Sequence, residues 1–319
     1  MDRDNTRMGV ACGAMPPRRR WRSATRRAGR SKVAWIAVAF LGLSLALARP
    51  VVERSLAWAT LSPTEELGGF FSIHCSFSHS SRDDPIVYPG QPTATHLHDF
   101  FGGSGTNFAS TPVSLAGTST SCANAGDTAG YWTPAPLMTG VVVQPSHQNE
   151  YWFDGGFKTM EMIPFGMEIV AGHSHALGEQ PTSTVFFYCG QSPRETPKRA
   201  KPYSCKNLDE GRIIMVIVFP QCWDGTLPAG NDTSHLAYPT SPGTCPTGFP
   251  HVLPRLEEHV HTGIISPYDS AGNFVFSLSS GPYYTVHGDF MNAWSPSTLR
   301  EFVDDCMNAH KTCASKTPS

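Results

Sequence analysis

Histidine is the residue that first suggests chemistry. The chain has 319 residues and 13 histidines, against 24 Lys/Arg and 26 Asp/Glu. Six of them form His-x-His pairs: His96/His98, His173/His175 and His259/His261. On an extended strand, residues i and i+2 point to the same face, so both imidazoles of a pair can reach one site. That spacing suits a pair of metal ligands or a proton relay. His96, His98 and His235 are the metal candidates, with a divalent metal as candidate cofactor. The competing reading is an imidazole satisfied in the core, and three pairs in one chain cannot all be sites. Asp84, Asp99, Asp224 and Asp289 supply carboxylate pairs for acid–base work on a glycosidic bond. Trp132, Trp223, Tyr238 and Trp294 offer flat apolar faces to sugar rings.

The expected catalytic set is therefore His98, Asp224, His235, His287 and Asp289, gathered by folding into one cleft. The expected substrate-binding set is Arg82, Trp132, Trp223, Tyr238 and Trp294. Asp99 follows His98 and points to the opposite face if the segment is extended, whereas His96 shares the His98 face. Each residue also has a plain structural reading. Asp84-Pro85, Asp224-Gly225 and Gly288-Asp289 suit turns, where Asp bonds its own backbone. Tryptophan in a disulfide-rich domain is commonly core, and Arg82 equally suits an ion pair. Other chemistries lack their residues: there is no G-x-S-x-G elbow, no Walker A and no H-E-x-x-H. Gly102-Gly103-Ser104-Gly105 has no lysine after it, so it is a poor phosphate loop.

The elements that must position these residues are mostly strands. Gly140–Gln144, Ser183–Cys189 and Gly272–Leu278 read as short β runs, and Ile213–Phe219 as a buried central strand. Gly/Pro/Ser/Asp-rich loops fill 102–128, 190–210 and 224–254. The clearest helical pattern comes near the end, where Ser297 caps Thr298–Asn308 with Leu299, Phe302, Val303 and Met307 on one face. With 29 glycines and 27 prolines and no internal repeat, the body reads as mainly β. The expected fold is an antiparallel β-sandwich or jelly-roll-like domain with long loops and a short C-terminal helix.

Charge and cysteine usage set the compartment. Residues 1–32 are a basic segment, 33–48 an uncharged apolar stretch, 49–68 a connector, 69–313 a single domain and 314–319 a tail. The apolar stretch has 16 residues and ends in Ala46-Leu47-Ala48, which fits either a cleaved signal peptide or an anchor. Either one leaves the basic flank in the cytoplasm and exports the body. Beyond residue 48 there are 14 basic and 24 acidic residues, a formal net of −10. That balance argues against nonspecific nucleic-acid binding. Eight of nine cysteines lie in the exported body, an even number that allows four disulfides in 105 pairings. Asn231-Asp232-Thr233 is a glycosylation sequon.

Several compact words recur in order along the body. They include Arg82-Asp83-Asp84-Pro85-Ile86-Val87, His96-Leu97-His98-Asp99-Phe100-Phe101-Gly102 and Gly130-Tyr131-Trp132-Thr133-Pro134. Phe219-Pro220-Gln221-Cys222-Trp223-Asp224-Gly225, Ser234-His235-Leu236-Ala237-Tyr238-Pro239, Pro250-His251-Val252-Leu253-Pro254 and His287-Gly288-Asp289-Phe290-Met291-Asn292-Ala293-Trp294 follow. Together they resemble the DUF1996 family, a secreted family of fungi and bacteria, from about Phe71 to Cys306. His173/His175 and His259/His261 do not match its words. The family's function is unknown, so the resemblance implies a compartment without a reaction. Fungal members often carry carbohydrate-associated modules, which implies a polysaccharide setting by association. The expected function is an exported glycan-active protein, a hydrolase or lyase of cell-wall or plant polysaccharide. The alternatives are a non-catalytic carbohydrate-binding surface protein and a metal-binding extracellular protein. The expected partner is a glycan, with membrane contact only through 33–48.

Overall fold

The computed structural model describes residues 68–313, apart from 191, 209, 210, 229 and 231. The expected signal or anchor, the basic segment, the tail and the sequon Asn231 lie outside the described residues. Among those described, no helix is long and apolar enough to cross a membrane.

The fold is mainly β and antiparallel, with two principal sheets face to face. The six-stranded sheet contains β1 (Phe70–Ser76), β7 (His147–Phe153), β9 (Val185–Cys189), β10 (Ile213–Val218), β14 (Arg255–His261) and β18 (Thr312–Cys313), in the order β18-β1-β7-β14-β10-β9. The five-stranded sheet contains β2 (His79–Ser81), β3 (His98–Gly102), β4 (Gly130–Pro134), β8 (Glu168–Gly172) and β17 (His287–Met291), in the order β2-β3-β4-β17-β8. Two small sheets occupy the loops. One joins β5 (Pro136–Met138), β6 (Val141–Val142), β15 (Phe276–Leu278) and β16 (Gly281–Pro282). The other joins β11 (Cys222–Trp223), β12 (Leu236–Ala237) and β13 (His251–Val252).

Alternation along the strands explains the packing. β1, β7 and β14 send Phe71, Ile73, Trp152, Leu256 and Val260 inward. There they meet Phe101, Tyr131, Ile169 and Phe290 of the second sheet. Trp152 and Phe290 touch edge to face across the gap, ring centroids 5.7 Å apart. Each such large side chain contributes about 1.5–3 kcal/mol on burial. The run in β10 is buried on both sides: Ile213, Met215 and Ile217 face the main core. Ile214, Val216 and Val218 pack outward with Phe186 and Tyr188.

The C-terminal helix starts earlier than expected. α2 (Pro296–Phe302) follows Ser295, with Pro296 in the first turn, where its missing N–H costs nothing. A π-helical turn then continues over Val303–Met307. A short α1 (Pro112–Leu115) interrupts the 102–128 loop. All eight cysteines of the body are paired: Cys75–Cys122, Cys189–Cys205, Cys222–Cys245 and Cys306–Cys313. Four disulfides belong to a protein of an oxidising, extracellular-type compartment.

Candidate functional site

The outer face of the five-stranded sheet is covered, and its side chains build the site. Alternation sends Phe100, Trp132, Met291 and Val170 to this face, under Ile86 and Leu115 from the loops. His98, His287 and Asp289 belong to the same face by their even spacing along β3 and β17. Residues 82–97 carry Asp84 and His96 to them.

Three imidazoles meet there. His96 Nε2 is 3.1 Å from His287 Nε2, and His98 Nε2 is 3.3 Å from the same atom. The opposite nitrogens of two rings are committed. His98 Nδ1 donates to the Asp83 carbonyl at 3.1 Å, and His287 Nδ1 to the Thr285 carbonyl at 2.9 Å. A carbonyl only accepts, so both rings carry their proton on Nδ1. Their Nε2 atoms therefore face each other as lone pairs. His96 Nδ1 lies 3.2 Å from Thr95 Oγ1. Burial holds all three rings neutral: His98 is pushed well below the ordinary histidine range, His287 to about 3 and His96 to about 4.

Two carboxyls adjoin the rings. One ligand-capable atom each from Asp84, His98 and Asp289 lies within 4.8 Å of the others, as it does for His96, His98 and His287. Asp289 is fully buried, and neither of its oxygens has a hydrogen-bond partner among the described residues. Burial, with Asp84 nearby, raises its pKa well above the carboxylate range. Asp84 Oδ1 accepts from the backbone N–H of Ile86 and Val87 at 3.1 and 2.9 Å, so it also makes the expected turn. Its pKa is raised by burial, against those two bonds.

The fit to a cation is dimensional. Zinc binds imidazole nitrogen at about 2.0–2.1 Å, which at a tetrahedral angle puts two such nitrogens about 3.3 Å apart. The Nε2 separations match that spacing, and the Nδ1–carbonyl bonds are the outer contacts that orient metal-binding histidines.

The remaining expected residues are placed elsewhere. Among the described residues no side-chain bond joins Asp224 or His235 to His98 or His287, and neither belongs to the two groups of ligand-capable atoms. Asp224 is half-buried, and its Oδ1 accepts from the Thr226 N–H at 2.7 Å and hydroxyl at 2.8 Å, a local turn. Those bonds, backbone first, lower its pKa. His235 is buried at the edge of the small β11-β12-β13 sheet, meets Asp224 through backbone only, and bonds none of the three histidines. Trp132 and Trp294 are core residues and expose no face to a sugar. Trp132 is 0% exposed and stacks on Phe100, while the Trp294 indole donates to Tyr131 Oη at 2.9 Å. Trp223 is half-buried, its indole N–H on the Thr226 carbonyl. Tyr238 donates to the Val218 carbonyl from a half-buried position. Arg82 is exposed at the rim, donating to the Thr95 carbonyl beside His96. Asp84 enters the site although its turn chemistry masked it in the sequence. The signal was its place in a word just upstream of His96/His98.

No curated protein and no solved structure matches the chain. The family model described as a domain of unknown function, DUF1996, matches residues 84–294, a span that runs from Asp84 past Asp289 and so encloses the whole histidine–carboxylate centre. The chain belongs to the DUF1996 family.

Proposed function

We propose that this is an exported, metal-dependent protein whose His96, His98 and His287 hold a zinc-class divalent cation beside Asp84 and Asp289. One observation carries the reading: two buried imidazoles, both with Nδ1–H given to carbonyls, aim bare Nε2 lone pairs at each other 3.3 Å apart. A cation turns that repulsion into coordination. Bound there, it would lower the pKa of a water toward about 7. Asp84 and Asp289, which the cation's charge would hold ionised, are the groups beside it to take that proton, and His96, only half-buried, marks the open side. The reaction class this supports is hydrolysis, and the substrate class we propose is a polysaccharide. Residues 33–48 are proposed to export the body, either cleaved or kept as an anchor.

The test uses the secreted protein, dialysed against metal-free buffer and assayed by elemental analysis. One metal per chain is expected, lost in His287→Ala and kept in Asp224→Ala. Metal-free protein whose melting temperature ignores added zinc would sink the reading. Release of reducing ends from a polysaccharide panel, abolished by His287→Ala, tests the hydrolase half. A second reading, carbohydrate binding without catalysis, is favoured by the open aromatic face described next. It expects binding with no new reducing ends.

A further inference from the structure

The outer face of the six-stranded sheet is organised as a grid. Phe70, Phe153 and Arg255 are cross-strand partners on β1, β7 and β14. The next row is Ser72, Tyr151 and Glu257, and the third is His74, Asn149 and His259. The last is Ser76, His147 and His261. No aliphatic side chain interrupts these four rows, whereas the inward face of the same strands carries Ile73, Leu256 and Val260. The rings touch: Phe70 lies 5.1 Å from Phe153 and 5.7 Å from Tyr151, and His147 stacks on His261 at 3.8 Å. Six residue steps of strand make the platform about 20 Å long.

A cavity of about 560 Å³ lies over the aromatic end, lined by the basic Arg194, Lys198 and Arg255 and by two acids, Asp154, which accepts from the Gly69 and Gly156 N–H groups, and Glu257. That volume is in the ordinary range of a ligand site, about 300–1,000 Å³. The charge is unusual for this body, where acidic residues outnumber basic ones 24 to 14. Glu257 is already engaged, accepting from Arg255 Nη2 at 2.9 Å and from His259 Nε2 at 3.1 Å. His259 Nδ1 in turn accepts from Tyr188 Oη at 3.1 Å. Arg194 and Lys198 are exposed, and among the described residues neither forms an ion pair. Two cations without a carboxylate partner, Arg194 and Lys198, the latter 4.4 Å over the Phe186 ring, therefore face a strip of half-buried rings interleaved with Ser, Asn and His.

We propose that this face binds a linear acidic polysaccharide, its uronate carboxylate at Arg194 and Lys198 and its sugar rings along Phe70, Tyr151 and Phe153. Charge selects an anion, and flat rings beside hydroxyl and amide groups select a sugar. An acidic peptide fits less well. Peptides add to sheet edges through their backbone, and β7 and β14 are interior strands whose backbone groups are already paired. The proposal rests on the glycan part of the proposed function and not on the histidine centre.

The experiment is calorimetric titration of the full secreted protein with a galacturonic acid hexamer, with cellohexaose and poly-glutamate alongside. The hexamer is expected to bind, more weakly as salt rises, and cellohexaose and poly-glutamate to bind at least tenfold worse. Arg194→Glu with Lys198→Glu, both on an exposed loop, is expected to weaken the hexamer at least tenfold with no change in melting temperature. Tyr151→Ala is expected to weaken it as well. Chelation with EDTA is expected to leave binding intact while removing any metal. Equal binding of cellohexaose or poly-glutamate overturns the proposal, as does indifference to the charge reversal. Loss of binding on chelation also overturns it, by moving the ligand to the histidine centre. No hexamer binding at millimolar concentration overturns it outright and leaves the metal reading standing.

Discussion

Two imidazoles that each donate Nδ1–H to a carbonyl cannot hydrogen-bond each other through Nε2. His98 and His287 are in that position, and the tautomer of each is fixed by backbone, so rotating a proton does not relieve it. Asp289 adds to the pressure, since a buried polar group without a partner costs several kcal/mol in an apolar setting, roughly 2–7 by transfer scales. A cation bound between the rings would satisfy both. The roles of ring and carboxyl should then separate on substitution. His287→Ala removes a ligand and should abolish stoichiometric metal. Asp289→Asn keeps size and burial but removes the carboxyl that a bound cation would hold ionised, and metal affinity should fall about 10–100-fold with one metal still bound at saturation. Competition against a chromophoric chelator measures both. Equal affinity in Asp289→Asn and the parent would remove Asp289 from the site.

At the scale of elements, β17 depends on glycine next to it. Gly172 of β8 pairs with His287 at a φ of +77°, and a Cβ there would come within 2.6 Å of the Val286 carbonyl and 2.9 Å of His287 Cα. Backbone cannot yield as a side-chain end can. Gly172→Ala should destabilise the fold by about 1–3 kcal/mol and loosen His287, so denaturant midpoint and metal content should fall together. A second element pair predicts a pH effect. Glu150 and Glu258 stand opposite each other on β7 and β14, fully buried, with no partner among the described residues. Burial first, then neighbouring carboxyls, raises both pKa values well above the usual range, so the folded pair stays protonated. The unfolded chain ionises near 4.5. The pair's contribution is therefore whole below that pH and is lost as pH rises toward the folded values. Glu258→Gln should flatten this decline and make the protein more stable than the parent at pH 8 but not at pH 4, as chemical denaturation across pH would show.

These strands also explain what the sequence could and could not reveal. Ile213–Phe219 and Ser183–Cys189 were legible because β10 and β9 are apolar on both faces. β1, β7 and β14 were not, because the outward half of each mixes Ser, His, Asn, Glu or Arg with Phe and Tyr and the inward half includes Gln148, Glu150 and Glu258. The His96/His98 pair was legible from its spacing, and His287 from its word. Asp224 and His235 misled because an Asp-Gly turn and a buried edge histidine look the same in sequence as site residues. Trp132 and Trp294 misled because burial is set by strand parity against a second sheet, which composition does not report.

At the scale of the molecule, disulfides hold the long loops to the sheets. Cys75–Cys122 ties β1 to the 102–128 loop, whose Leu115 covers the outer face of the five-stranded sheet near the histidine centre. It closes 47 residues, whereas Cys306–Cys313 closes 7. Loop-closure entropy assigns about 4 kcal/mol to the first and about 2 kcal/mol to the second. Replacing Cys75 and Cys122 together with alanine should therefore lower stability by roughly 2 kcal/mol more than replacing Cys306 and Cys313. The larger loss should also reach the site, because the freed loop carries Leu115 away from Phe100 and Trp132, and metal affinity should drop in the first variant alone. Thiol titration of the denatured, unreduced secreted protein should first find no reactive thiol among the eight cysteines, and two or more per chain would contradict the pairing. Equal stability losses in the two double variants would show that strain or residual unfolded structure, and not loop length, sets what each bridge contributes. Unchanged metal affinity in the Cys75/Cys122 variant would separate the loop from the centre it covers.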